Sequence, residues 1–397
     1  MERTIYREIS FTGQLWMWAA VMGAFILGAL ASVVYVEHHG HIVTGMNNQI
    51  VWGTPHVFAI FLIVAASGAL NVASMASVFD RTVYKPLSRL SGVLAIALLM
   101  GGLAVLVLDL GRPDRLLVAM THFNFSSIFT WNIFLYTGFM GIVALYLFVQ
   151  MSRDVHPKWV KPAGILAFVW RLALTTGTGS IFGWLVARPG YDAAIMAPLF
   201  IAMSFALGLA VFILVLIALC RLGERKLGPM LIHQMTRLLA LFVGAVLYFT
   251  AVHHLSNIYV AQHSGVERFF LLAGGTYTFL FWIVQVAIGS ILPIVLIYRA
   301  ETPVPTKTAI LASALVILGG FAQLYVIVIG GQAYPMDIFP GYEVTSSFFD
   351  GARASYAPSL PEVALGQGGI ALALLVTFLG AKILRILPTN LADSNRP

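Results

Sequence analysis

Cysteine is nearly absent: Cys220 is the only one among 397 residues. The chain therefore forms no internal disulfide and lacks the thiolates for a Cys-based zinc site or an iron–sulfur cluster of its own. Charge is scarce as well, at 10% of residues against about 25% in soluble domains. The net charge of +7 is spread thinly between apolar runs, with no basic patch beside exposed aromatics, which argues against a nucleic-acid partner. No low-complexity tail or soluble domain interrupts the pattern.

What is present is apolar sequence, 59% of residues, with a mean hydropathy of +0.90. These values exclude an ordinary soluble domain and predict an all-α integral membrane protein. Counting about 20 apolar residues per span gives ten helices, at about 15–36, 53–79, 90–108, 127–150, 162–184, 195–219, 236–257, 273–298, 308–330 and 366–386. The first follows MERTIYREISFTGQ and passes an ALA at 29–31, the outline of a signal peptide. Its continuation through Val36 is long enough to span, so it is read as a retained helix.

Ten spans put both termini on one side, and arginine and lysine test the count because cytoplasmic loops carry their excess. Seventeen lie on the side of the termini, five on the other, and Arg171 falls inside the fifth span. The prediction is a multi-pass protein of the bacterial inner membrane with both ends cytoplasmic. It is one polytopic domain over 1–397: a first helix and outer loop (1–52), a four-helix bundle (53–184), a second (195–330), an outer loop (331–365), and a last helix with a cytoplasmic tail (366–397). An echo at a four-helix offset, PHVFAIFLIVAASGAL against PLFIAMSFALGLA, suggests parallel repeats. The long loop from Gly331 to Gly366 carries Asp337, Glu343, Asp350 and Glu362 against Arg353 alone; it is a connector, a docking surface or a lid.

Once depth is assigned, the polar groups converge on the outer face. His56 starts span two, Asp109 and Arg112 end span three, and Asn132 and Tyr136 lie one and two turns into span four. Arg188 and Asp192 follow span five, while His253, His254 and Asn257 end span seven and Gln285 sits mid-depth in span eight. An ionisable group in a span costs about 2.5–3.5 kcal/mol on insertion scales, which makes each a functional candidate. Each also has a plainer role. Asp109 and Arg112 are spaced to pair at i,i+3, His56 after Pro55 could bond backbone, one of His253 and His254 could sit at the interface, and Gln285 could be glue between helices. Arg171, with Thr175, Thr176 and Thr178, is either part of an internal proton path or a snorkelling arginine.

His, Tyr and Asn suit the oxygens of a quinone, and an Asp–Arg pair suits the protons released when quinol is oxidised. Bis-histidine haem needs two histidines deep in facing helices, whereas these lie near the two faces, so no intrinsic haem is expected. No metal site is predicted. A proton-coupled secondary transporter is the alternative class, but it would gather its polar groups on broken helices at the midplane.

LDLGRPDR at 108–115, followed by FNFSSIFTWNIFLYTGF, resembles the NrfD / polysulfide-reductase membrane-subunit family. WGTPHVFAIFLIVAASGALNVAS extends the resemblance through spans two to five, and FWIVQVAIGSILPIVLI with YAPSLPEVALGQGGIALALL carries it more loosely onward. The final segment is similar to a ten-helix branch that includes the membrane subunit of hydrogenase-2, and span two resembles a subunit of the sulfur-metabolism Dsr complex. The resemblance implies two four-helix bundles plus flanking helices. It also implies a quinone site (menaquinone or ubiquinone), no haem or cluster in this subunit, and an extracytoplasmic iron–sulfur protein docked above, with a cytochrome c and further membrane subunits as additional candidates. By motif, His56, Asn132 and Tyr136 match positions lining the quinone pocket, and Asp109 and Arg112 match the polar pair beside it. Where the family often has glutamate in span eight, this chain has Gln285, which puts a full transmembrane proton channel in doubt. Electron flow is then expected through quinol at His56 and Tyr136, with protons leaving through Asp109 and the His253/His254 region.

Overall fold

The computed structural model describes residues 5–10, 13–336, 339 and 351–392. It contains ten helices long and apolar enough to cross a membrane: α1 Gly13–His39, α2 Thr54–Ser77, α3 Thr82–Leu108, α4 Ile128–Met151, α5 Pro157–Trp184, α6 Met196–Leu222, α7 Pro229–Tyr259, α8 Thr276–Arg299, α9 Thr306–Ala333 and α10 Leu360–Ile383. The chain is an all-α integral membrane protein.

Helix ends differ from the predicted windows where capping chemistry, not hydropathy, sets them. Pro229 sits in the first turn of α7 and starts that helix well before its apolar stretch. At α10, Ser359 accepts from the Glu362 backbone while the Glu362 side chain accepts from the Ser359 backbone. This capping box, with Pro361 behind it, begins the helix at Leu360, so the loop predicted to reach Gly366 is shorter at both ends. Asp337, Glu343 and Asp350 of that loop lie outside the described residues.

Helices α2 to α5 pack as one four-helix group and α6 to α9 as another, while α1 and α10 lie against each other, with α10 on α3 and α2. The two groups meet mainly along α2 and α6, the helices most deeply enclosed by protein. Their crossing explains the repeated small residues: a Cβ on Gly68 would overlap the Ser204 carbonyl, and one on Gly208 would overlap the Gly68 backbone. Between helices in lipid, attraction comes from such close packing instead of from expelled water. Gly289 and Gly319 make a comparable contact between α8 and α9. Two helices carry π-turns, over Leu280–Ile291 in α8 and Val326–Gly330 in α9.

Beyond the bundles, short strands gather the chain ends on one face: Tyr6–Arg7 pairs with Leu387–Pro388, and Lys226–Leu227 with Asn390–Leu391. We call this the terminal face, and the opposite one, where α2 begins and α3 ends, the site face.

Candidate functional site

His56 lies in the first turn of α2, and its ring, not its backbone, makes the contact that matters. Nδ1 stands 2.8 Å from Oδ2 of Asp109, with the two side chains 15% and 5% exposed. The two atoms are in close contact, but the geometry is not that of a formed hydrogen bond. Asp109 caps the C-terminal end of α3, which runs antiparallel to α2, and that adjacency brings the two side chains together.

The Asp109–Arg112 pairing expected from i,i+3 spacing is not what the structure has. The helix stops at Leu108 and the backbone turns away at Arg112 (φ −142°, ψ 70°), so helical spacing no longer applies. Arg112 instead grips exposed Asp114 through Nε at 3.0 Å and Nη2 at 2.9 Å. That guanidinium holds the Asp114 carboxyl below its ordinary range, and the same hydrogen bond raises Arg112. Asp109 is left to His56.

Trp52 roofs this pair. Its ring stacks on His56 at 6.0 Å and on Tyr191 at 6.1 Å, and meets Phe129 and Phe182 edge-on. A glutamine of α9 holds the roof in place: Gln332 Oε1 accepts from the Val51 and Trp52 amides at 3.0 Å each, and its Nε2 donates to the Trp52 carbonyl at 2.9 Å. Arg188 donates to the Gln332 carbonyl at 3.1 Å. The second group of helices thus positions the lid of a site in the first.

Asn132 and Tyr136 are buried and face α5. Asn132 Nδ2 donates to the Ile128 and Gly177 carbonyls at 2.9 and 3.1 Å, and the Tyr136 hydroxyl lies near Thr178. Asn132 Oδ1 is buried without a partner among the described residues. These two are joined to His56 through the aromatic roof and not by direct contact, since Trp52 touches Phe129 beside Asn132 and Phe182 on α5.

A second cluster lies at the same face in the other group. His254 Nδ1 is 2.6 Å from Glu267 Oε2, Asn257 Nδ2 donates to Glu267 Oε1 at 2.9 Å, and His263 Nδ1 is 3.2 Å from Asn257 Oδ1. Asp192 stands 3.7 Å from His263 Nε2. Asn257 also approaches His253 Nε2 at 3.5 Å, which leaves His253 Nδ1 buried and unpartnered among the described residues. Both histidines turn inward and neither is left at an interface. His253, His254, Gln285 and Gln323 border a void of about 20 Å³, room for one water. His253, His254 and Glu267 offer ligand atoms within 4.8 Å of one another, a set a divalent cation could use, but the His254–Glu267 contact satisfies both groups without one.

Arg171 does not snorkel. It is fully buried, donates to Asn71 Oδ1 at 3.1 Å and the Ser67 carbonyl at 3.4 Å, and lies against the rings of Phe168 and Phe205. These contacts tie α5 to α2 and α6.

Residues 42–336 match the family model described as polysulphide reductase, NrfD. The chain belongs to this family. It is similar to an Hdr-like menaquinol oxidoreductase integral membrane subunit of Archaeoglobus fulgidus, 30% identical over 92% of each sequence. It is also similar to the protein NrfD of Escherichia coli, 23% identical over 62% of this sequence and 84% of that one. A menaquinone reductase integral membrane subunit of Nitratidesulfovibrio vulgaris is 23% identical over 96% and 93%.

Within this NrfD-family chain, sequence reasoning misses the roles of two buried carboxylates. Glu267 is masked by its neighbour Arg268 in a short loop, and nothing local marks its bond to His254. Glu362 counts as loop charge in the sequence, although Ser359, Pro361 and Glu362 spell a capping box. Its Oε2 accepts from the Gly45 amide at 2.8 Å, and its Oε1 accepts from the Tyr356 hydroxyl at 2.6 Å, which in turn accepts from the Thr54 amide. Burial and the adjacent carboxylate push the Tyr356 phenol well above its ordinary range. Asp109 and Glu362 border the same small void, of about 10 Å³, between α1, α3 and α10.

Proposed function

We propose that this chain is the quinone-reactive membrane subunit of a respiratory oxidoreductase complex. It passes electrons between menaquinone or ubiquinone and an iron–sulfur subunit docked on the site face, which lies outside the cytoplasm, in a complex of sulfur metabolism. The observation that carries the reading is the His56–Asp109 contact, buried beneath Trp52, in a family whose relatives include proteins named as menaquinol oxidoreductase and menaquinone reductase subunits.

The residues suit a quinone. His56 presents Nε2 beyond the carboxylate, the Trp52 shelf supplies a flat apolar surface, and the unpartnered Asn132 Oδ1 accepts a hydroxyl hydrogen. Bound there, a quinol supplies two electrons and two protons. A small rotation of the ring would let Asp109 accept from Nδ1, leaving Nε2 to accept from a hydroxyl. As that proton is taken up, Asp109 compensates the imidazolium charge. Asp109 and Glu362 border one small void, the proposed first step of the proton's exit, and Tyr136 is the proposed partner of the second oxygen. In the other group, His253, His254 and Glu267 offer a further set of proton carriers at the same face. Arg112, exposed and committed to Asp114, takes no part in the chemistry.

The test is turnover of the assembled complex with a soluble quinol. We expect Asp109→Asn to assemble normally and to lose about 10²-fold or more in quinol-linked turnover, the scale of a positioned acid–base group. Wild-type turnover in that variant would remove Asp109 from the chemistry, and failure to assemble would assign it to the fold.

A further inference from the structure

An apolar groove lies away from the site described above, open along one edge at Trp18. A cavity of about 560 Å³ sits where the three parts of the fold meet, bordered by Trp18 of α1, Phe61 of α2, Leu98 of α3, Leu214 of α6, Ile317 of α9 and Phe378 of α10. Its walls are apolar except for one residue, Arg221, in the last turn of α6. Along α6 the lining runs from Val211 to Leu222, about 16 Å at 1.5 Å per residue. The cavity therefore extends from the middle of the membrane to the terminal face.

We infer that this cavity is a binding site for an anionic phospholipid, with one acyl chain in the apolar space and the phosphate against Arg221. Protein interiors are packed to crystal-like density, and an empty space of this size would forfeit the dispersion contacts of every wall. An acyl chain is narrower than a helix and can lie along a groove of this length. The charge at the mouth selects the headgroup. Arg221 is exposed, and no carboxylate among the described residues pairs with it. Basic pockets between helices are a recurrent feature of anionic-lipid recognition. Trp18, 45% exposed, is the amphipathic ring expected where an acyl chain leaves protein for the interface. The mouth offers a lone cation and lacks the His, Tyr and Asn groups suited to quinone oxygens, which favours a phosphate over a second quinone.

Native mass spectrometry of the complex, extracted in mild detergent and titrated with phosphatidylglycerol or phosphatidylcholine, reads this directly. The wild type should hold one phosphatidylglycerol per chain in preference to phosphatidylcholine. Arg221→Gln should weaken that retention about fivefold, the ratio expected for one basic residue's attraction to an anionic lipid. Leu214→Trp should abolish it by filling the cavity; if that variant does not assemble, Ala218→Leu carries the same test with less added volume. Equal retention of the two lipids, unchanged retention in Arg221→Gln, or displacement of the lipid by menaquinone would each overturn the assignment.

Discussion

Asp109 and Arg112 stand three residues apart and have opposite surroundings, one buried against a histidine and the other in water. Their substitutions should separate accordingly. Whereas Asp109→Asn strikes quinol turnover, Arg112→Ala should leave turnover and assembly within about twofold of wild type, because exposed ion pairs contribute little. The sign of the Asp114 shift adds a check. Its lowered carboxyl makes the Arg112 pair's contribution present above the ordinary aspartate range and lost as pH falls through the lowered value. The pH–activity profile near neutrality should therefore be unmoved by Arg112→Ala, as measured with the assembled complex. Glu267 is the buried counterpart. Glu267→Gln removes the charge while keeping the shape, weakens its bonds to His254 and Asn257, and should lower stability by about 1–3 kcal/mol. A thermal melt of the purified complex measures this; an unchanged midpoint would reduce the cluster to coincidental proximity.

At the scale of elements, the α2–α6 crossing carries the most weight. A side chain at Gly68 meets the backbone of α6, which cannot step aside as a flexible side chain can. Gly68→Leu should prevent accumulation of assembled protein. Gly141→Ala, where an added Cβ meets nothing within 4 Å, should be neutral; membrane-fraction yield and size-exclusion profiles compare the two. The same crossing gives physical content to the four-helix echo, since Gly68 and Gly208 fall in its two halves and touch each other. The helix windows were legible because span length follows bilayer thickness. The starts of α7 and α10 were not, because Pro229 and the Ser359–Glu362 box extend helix into polar sequence that a hydropathy window reads as loop.

For the whole molecule, the shared face of the chain ends and the crowding of arginine and lysine on that side make a sidedness prediction. A reporter fused after Pro397 should be active in the form that works in the cytoplasm, and one inserted after Phe123 in the form that works outside. The opposite pattern would invert the docking side proposed for the iron–sulfur subunit. It would also place the Arg221 cavity in the other leaflet.

Composition and spacing by themselves determined that this is a ten-helix membrane protein, which face collects the polar groups, and which family motifs it carries. Those properties follow from local length, hydropathy and charge, which a linear polymer displays. Only the tertiary structure decided which polar groups are partners. Asp109 meets His56 and not Arg112, Glu267 meets His254, Gln332 reaches across from α9 to hold Trp52, and Glu362 binds the amide of Gly45, 317 residues away in the sequence. A buried polar group must find a partner wherever packing brings one, and in a bundle of antiparallel helices that partner is set by which helix ends lie side by side.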